Sequence, residues 1–257
     1  MKKIALWVGM LLMISPLVFS QANSGDYILI TVESGGSIDT VVQKYLKSSK
    51  LKSDLLRYNN MSASSVKPGT QLKIPYGISK ERAAKIKFFK GKVERQSENG
   101  DWKAVRRVGE VLLQHDKLKT DKNAKVEIQF DDGSLMQMYG DSIISLQEYS
   151  YSKTKGRSAN VKLDNGSLFA NVNRLRKASG FQVTTVTAVA GVRGTQFYVA
   201  LDEKKEMKVE VYKGEVEVAS DNKKVSVKSG NETKVEQGGD PEAPKKITNP
   251  RKIKWAR

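Results

Sequence analysis

In the fifty residues after position 26 the hydrophobic pattern changes period several times. Tyr27, Leu29 and Thr31 alternate with Ile28, Ile30 and Val32 in a β-branched and aromatic run that predicts a strand. The turn Ser34-Gly35-Gly36-Ser37 follows. Ser37 is placed to cap a helix whose apolar positions Val41, Val42, Tyr45 and Leu46 recur near helical spacing. Leu51, Leu55, Leu56 and Tyr58 predict a second helix, ended by Asn59-Asn60. Lys67-Pro68-Gly69-Thr70 reads as a turn and Gln71 to Pro75 as a closing strand, which Pro75 terminates. The predicted order over residues 26–76 is strand, helix, helix, strand.

The next stretch is basic, with Lys80, Arg82, Lys85, Lys87, Lys90, Lys92 and Arg95. Residues 77–84 read as a linker. From Lys85 onward Ile86, Phe88, Phe89 and Val93 interleave with the lysines and predict entry into a strand. The remainder reads as strand-turn-strand units marked by a residue-Gly pair between alternating apolar runs. Val126, Ile128 and Phe130 run into Asp132-Gly133, with Leu135 to Tyr139 returning; Val161 and Leu163 run into Asn165-Gly166, with Leu168 to Val172 returning; Val209 and Val211 reach Lys213-Gly214, with Val216 and Val218 returning. The glycines are unequally spaced, which argues against a fixed-period solenoid. With little helical periodicity after residue 110, an all-β domain is predicted over 85–236. The fold class is therefore α+β overall, a small βααβ module followed by a mainly antiparallel β domain. Residues 237–257 run from Gly238-Gly239-Asp240-Pro241 into Lys245, Lys246, Arg251, Lys252 and Lys254 around Trp255, a composition that predicts a basic, disordered tail.

Charge and the first residues bear on location. Lys2 and Lys3 precede an apolar stretch from Ile4 to Met13, then Pro16 and small residues near Ser20 and Ala22, the pattern of a signal peptide over residues 1–22. The stretch falls short of the about 20 apolar residues a bilayer span needs, and no later segment approaches one. The expectation is an exported protein of the periplasm or cell envelope, with an extracellular location as the alternative, and no transmembrane segment in the mature chain. There is no cysteine, so no disulfide and no thiolate metal site can form. The net charge of +17 attracts polyanions. For an exported chain these are envelope polymers and lipid head groups, and no nucleic-acid partner is expected.

Catalysis needs positioned nucleophiles, acids, bases or metals, and the chain offers a single histidine, His115. Its setting, Gln114-His115-Asp116 ahead of a strand, predicts a surface or half-buried side chain. One histidine excludes a two-His zinc site within one chain. The pair Asp131-Asp132 invites a glycosidase or metal reading, but Asp132-Gly133 between alternating runs is what a tight hairpin demands. Asp164 and Asn165 before Gly166 read the same way. Gly191 and Gly194 flank Arg193 without a phosphate-loop continuation and predict a bend or a close strand approach. A non-enzymatic protein without metal or cofactor is expected.

The βααβ segment resembles a LysM module. The resemblance rests on the tyrosine-opened strand at Tyr27, the Gly-x-Ser-Ile turn from Gly35 to Ile38, Tyr45, Asn59, and the run from Val66 through Lys67-Pro68-Gly69-Thr70 to Pro75. It departs from the family where Gly36 replaces the usual acidic residue and where Lys47 to Lys50 is unusually basic. The resemblance implies binding of peptidoglycan or a related N-acetylated glycan. Backbone donors and acceptors of Gly35, Gly36, Ser37 and Ile38 would lie beside those of Asn59, Asn60 and Met61 in a shallow groove, with Ile38 and Met61 against sugar methyls. Ordinary turn and capping chemistry accounts for each of these residues equally well.

The β segment, over roughly residues 84–236, resembles the FecR domain. The residues that carry it are Val108-Gly109-Glu110, Asp116 to Thr120, Val126 to Leu135, Gly166, Phe181-Gln182-Val183, Ala188 to Val199 with Val192-Arg193-Gly194-Thr195-Gln196-Phe197, and Val209 to Val218. The family's best-known members are sigma regulators with a cytoplasmic segment and a membrane helix. This chain's pattern shows neither, so anti-sigma activity does not carry over. The leading expectation is an envelope protein that binds peptidoglycan through the first module and presents the β domain to an envelope protein. The alternative is a signalling component related to the sigma regulators. A wall hydrolase is disfavoured because no catalytic constellation accompanies the module.

Overall fold

A computed structural model describes residues 27–75, 78–79, 82–96, 101–152, 156–174 and 179–255. The expected leader, residues 1–22, lies outside them. The N-terminal module consists of β1 (Tyr27–Thr31), α1 (Ile38–Tyr45), α2 (Lys52–Tyr58) and β2 (Gln71–Pro75). β1 and β2 pair antiparallel, from Tyr27 opposite Pro75 to Thr31 opposite Gln71. Ser37 caps α1: its Oγ accepts the Thr40 N–H while the Thr40 hydroxyl accepts the Ser37 N–H, which satisfies donors that a helix start leaves unpaired. The helices and strands close on a core of Val41, Val42, Leu46, Leu55, Leu72 and Ile74.

This module is joined tightly to the β domain. Val111 and Leu113 pack against its core, the Lys47 N–H donates to the Ile78 carbonyl at 3.0 Å, and Leu46 bridges to Ser79. The Asp131 carboxylate pairs with the Lys47 ammonium on one oxygen and lies 2.8 Å from the Arg82 Nε on the other. The linker expected over 77–84 is corrected accordingly. Its described residues are anchored, because Ala83 and Ala84 are apolar and fully buried and Arg82 already begins a strand. Replacing Asp131 with asparagine is expected to cost about 2 kcal/mol, since it leaves two cations in a half-buried place without their shared counter-charge. Urea unfolding of the full chain checks this; a change within about 0.5 kcal/mol would show that the two pairs do not hold the module.

The strands of the β domain begin with β3 (Arg82–Lys90), β4 (Val93–Gln96), β5 (Trp102–Ala104), β6 (Val111–Leu113), β7 (Lys117–Thr120), β8 (Lys125–Phe130), β9 (Leu135–Met138) and β10 (Ile143–Ser152). They continue with β11 (Gly156–Asn171), β12 (Gly180–Thr184), β13 (Val189–Val192), β14 (Gln196–Leu201), β15 (Met207–Lys213), β16 (Glu215–Ala219), β17 (Lys224–Lys228), β18 (Asn231–Val235) and β19 (Lys245–Lys246). They form two layers. One has the order β6-β3-β8-β9-β11-β14-β15-β18-β19. The other has the order β5-β4-β7-β10-β11-β12-β13-β16-β17. All these pairings are antiparallel except β11 with β12, which is parallel. Alternation buries Phe181 and Val183 of β12 and Val216 and Val218 of β16 in one continuous core. The layers meet there: Phe130 of the first sheet lies 5.4 Å from Tyr149 and 5.4 Å from Phe181 of the second.

Strand β11 belongs to both layers, and it corrects a predicted hairpin. Residues 156–165 pair with β10, and from Gly166 to Asn171 the same strand pairs with β14. The chain therefore continues through Asn165-Gly166 instead of turning back. Lys213-Gly214 is likewise no hairpin. There β15 of the first sheet hands over to β16 of the second, which pairs with β13 and β17. Asp132-Gly133 does close a hairpin, between β8 and β9. The three glycines share φ values of 84°, 83° and 82°, so the residue-Gly signature marks the backbone conformation and not the direction the chain takes afterwards.

The disordered tail expected over 237–257 is also corrected for its described part. Lys245 and Lys246 pair with Glu232 and Asn231, Arg251 lies over the Tyr198 ring at 3.8 Å, and Trp255 packs edge-on to Phe169 at 5.8 Å. Counter-charges and aromatic faces on the sheet hold a segment whose composition by itself reads as solvated.

Candidate functional site

Each module presents one candidate site. In the first, the turn after β1 and the first turns of α1 enclose a cleft of about 190 Å³ lined by Ile30 to Gly36 and by Thr40, Val41, Lys44 and Tyr45. The Gly36 N–H donates to the Glu33 carbonyl at 2.9 Å, closing the turn. Glu33 and Lys44 pair across the rim at 2.6 Å, and this hydrogen bond raises the Lys44 pKa above its ordinary value. The Lys44 ammonium also lies 5.4 Å from the Tyr45 ring centre. Volumes of roughly 300 Å³ and more are usual for pockets that bury a whole ligand; this cleft has room for one substituent, flanked by backbone amides, an ion pair and an aromatic ring.

Of the residues predicted to bind glycan, Gly35 and Gly36 stand on the cleft wall. Ser37 is engaged in the cap and Ile38 is buried beneath it. Asn59, Asn60 and Met61 are not on that wall. The Asn59 amide donates to the carbonyls of Leu55 and Lys73 at 2.9 and 2.8 Å and accepts the Lys73 N–H at 2.8 Å, so it ties the end of α2 to β2. Met61 packs against the module core. Of the predicted set, Gly35 and Gly36 line the cleft and Asn59 ties α2 to β2.

In the β domain the Asp131-Asp132 pair does more than turn the chain. Asp131 faces the first module through Lys47 and also pairs with Arg82 at the start of β3. Asp132 points inward, where it accepts the Ser134 N–H and hydroxyl at 2.9 and 2.8 Å and pairs with the Arg157 guanidinium, both charged side chains being fully buried. Arg157 also donates to the Ser134 hydroxyl at 3.0 Å and lies over the Phe181 ring at 5.5 Å. The Tyr149 hydroxyl accepts the Asp132 N–H at 3.1 Å, and burial with the adjacent Asp132 charge pushes the phenol pKa well up. Asn173 completes the set through the Ser134 hydroxyl and the Asp132 carbonyl, both at 3.0 Å. This network locks the β8–β9 hairpin to β10, β11 and β12.

His115 is exposed in a turn at φ 70°, beside Gln114. Among the described residues no group of His, Asp and Glu is arranged to hold a metal ion. Gly194 makes the close approach expected of it: an added Cβ would lie 2.5 Å from the Arg174 Cβ.

Residues 116–217, from the start of β7 to β16, match the family model described as FecR protein. The chain carries a FecR-like domain, and the matched segment contains the shared strand β11 and the buried Asp132–Arg157 pair. Among solved structures, the chain is similar to two crystal structures of a candidate anti-sigma factor from Parabacteroides distasonis, each at TM-score 0.44 and 22% identity. The similarity covers 51% of this chain and 59% of theirs, so the chain spans less than two thirds of those proteins. No curated protein matches the chain. Among the described residues no helix is long and apolar enough to cross a membrane.

Proposed function

We propose that the protein is an exported, non-enzymatic regulatory component of the cell envelope, in which the FecR-like β domain docks a protein partner and passes a signal by that contact. The match of residues 116–217 to the FecR model carries this reading. The buried Asp132–Arg157 network supports it, because such a network makes the matched segment a rigid unit on which a docking surface can be kept in shape. The test is to compare transcript profiles of cells with and without the protein. A discrete set of genes that shifts on deletion and returns on complementation is expected; an unchanged profile overturns the regulatory reading.

The cleft beside Gly35 and Gly36 favours a second, compatible role for the first module, as a tether to peptidoglycan of the kind a LysM-like segment implies. Sedimentation of the full chain with purified peptidoglycan at low and high salt tests it, since adhesion through net positive charge alone fades as salt screens it. Salt-resistant binding that is lost when Ser34, an exposed residue of the cleft wall, is replaced by tryptophan supports the tether. Binding that disappears in salt, or that survives the filled cleft, removes it.

A further inference from the structure

Strand register places Glu127, Gln137, Phe169, Tyr198, Glu210 and Glu232 side by side in one row across the outward face of the first sheet. All of them are buried, yet Phe169 and Tyr198 stand outside the inter-sheet core. What lies over the row is the chain's own segment 247–255. The Lys254 carbonyl accepts from the Lys125 ammonium at 2.9 Å and from the Gln137 amide at 3.1 Å. Arg251 lies over Tyr198, reaches the Glu210 carboxylate at 3.3 Å, and donates its backbone N–H to the Tyr212 hydroxyl at 2.9 Å. Trp255 meets Phe169. Tyr212 in turn donates to Glu210 at 2.7 Å, and burial together with that carboxylate pushes its pKa up to about 12.

The core between the two sheets is mainly apolar, with the Asp132–Arg157 pair held there by a closed set of hydrogen bonds, because a buried carboxylate loses its hydration and must be compensated. This row carries three carboxylates alongside two aromatic rings. Lys125 pairs with Glu127, and Lys208 with Glu210 and Glu232, so the row can stand in water without the strap. Among the described residues, this C-terminal strap (247–255) makes no ladder of its own and follows directly on the β19 pairing of Lys245 and Lys246. After the Ile247 N–H reaches the Gly230 carbonyl at 3.0 Å, it runs on through side-chain and single backbone contacts. Charge and shape thus match row to strap, while the row remains polar enough to release it.

We propose that this face is the partner-docking surface of the β domain, that it takes an extended segment of a partner protein carrying an arginine and an aromatic residue, and that residues 247–255 hold it in cis until displaced. The proposal deepens the regulatory reading and rests on it for the existence of a partner. The cis segment acts as a competitor: if it covers the face about nine-tenths of the time, an incoming segment binds about tenfold more weakly than to the open face.

The test uses a fluorescent synthetic peptide with the sequence of residues 245–255 as probe, titrated against the full chain. Replacing Arg251 and Trp255 by alanine in the protein is expected to release the strap and strengthen peptide binding about tenfold. Adding Glu210→Gln to that variant is expected to lose the gain, and a peptide with alanine at both strap positions is expected not to bind. Hydrogen exchange on the wild-type chain gives an independent readout, with amides of 247–255 expected to exchange much faster than those of β14 and β15. Equal peptide affinity for wild type and variant, or a strap as protected as those strands, overturns the proposal and leaves the segment a fixed part of the fold. Concentration-dependent dimers of the wild-type chain, seen by light scattering and lost with the strap substitutions, would make a second copy the occupant and overturn the partner assignment. Peptide capture without any transcript change on deletion keeps the surface and removes the regulatory reading; a transcript change without peptide capture does the reverse.

Discussion

Replacing Arg157 with methionine is expected to lower the stability of the β domain by about 3–5 kcal/mol, the cost of leaving one member of a buried ion pair uncompensated. Both charged side chains are fully buried, so water cannot take the place of the lost guanidinium. Asp132 would keep its bonds from Ser134 but lose the only full charge paired with it among the described residues. Asp132→Leu is expected to cost a similar amount by stranding Arg157. The double variant is expected to recover part of the loss, because two apolar side chains in that space owe nothing to desolvation. Urea unfolding followed by circular dichroism reads all three. A loss under about 1 kcal/mol for Arg157→Met would mean that the guanidinium is a passenger in the core. The outcome bears on the matched segment as a whole, because the network lies within residues 116–217 and joins the hairpin tip to β10, β11 and β12.

Why the sequence announces some of this and conceals the rest comes down to what local pattern encodes. Ser37 is legible as a cap and Asp132-Gly133 as a hairpin, because both are solved within four residues of chain. Arg157 is not, since its partner Asp132 lies in a different hairpin and no local pattern joins the two. One signal could have found it: Arg157 has the same parity as Ala159, Val161 and Leu163, all of which point into the core. The strap is hidden for the opposite reason. Its lysines dominate the composition, but Arg251, Ile253 and Trp255 share a parity, the latter two are half-buried, and Trp255 packs on Phe169 of the sheet. Gly35 to Ile38 and Asn59 to Met61 are each legible as local features, while which of them line the cleft depends on how α1 and α2 pack on the strands. The order of the first module and the all-β character of the second are legible throughout, because burial on one face of each element leaves a period in the sequence.

Gly166→Ala is expected to cost about 3 kcal/mol or more, and it tests the least legible feature of the fold, the passage of β11 from one sheet to the other. Two effects add. The residue sits at φ 83°, where a Cβ costs about 1–2 kcal/mol by its clash with the local backbone. The added Cβ would also lie 2.4 Å from the Ser142 Oγ, 2.5 Å from the Asp141 carbonyl and 2.6 Å from the Ser142 Cα, and two of those atoms are backbone that cannot rotate away. Relief requires moving the 141–142 segment, whose Ser142 hydroxyl accepts the Ser167 N–H at 2.8 Å and whose Asp141 carbonyl accepts from Asn165 at 2.8 Å. The clash therefore spreads into the bonds that hold the corner. Gly180→Ala is the control: it lies in β12 without a positive φ, and an added Cβ meets nothing within 4 Å, so it is expected to change stability by less than about 0.5 kcal/mol. Denaturant midpoints of the two variants should separate widely. If they coincide, the two layers do not depend on a glycine corner, and the continuity of β11 between them would have to come from the flanking ladders alone.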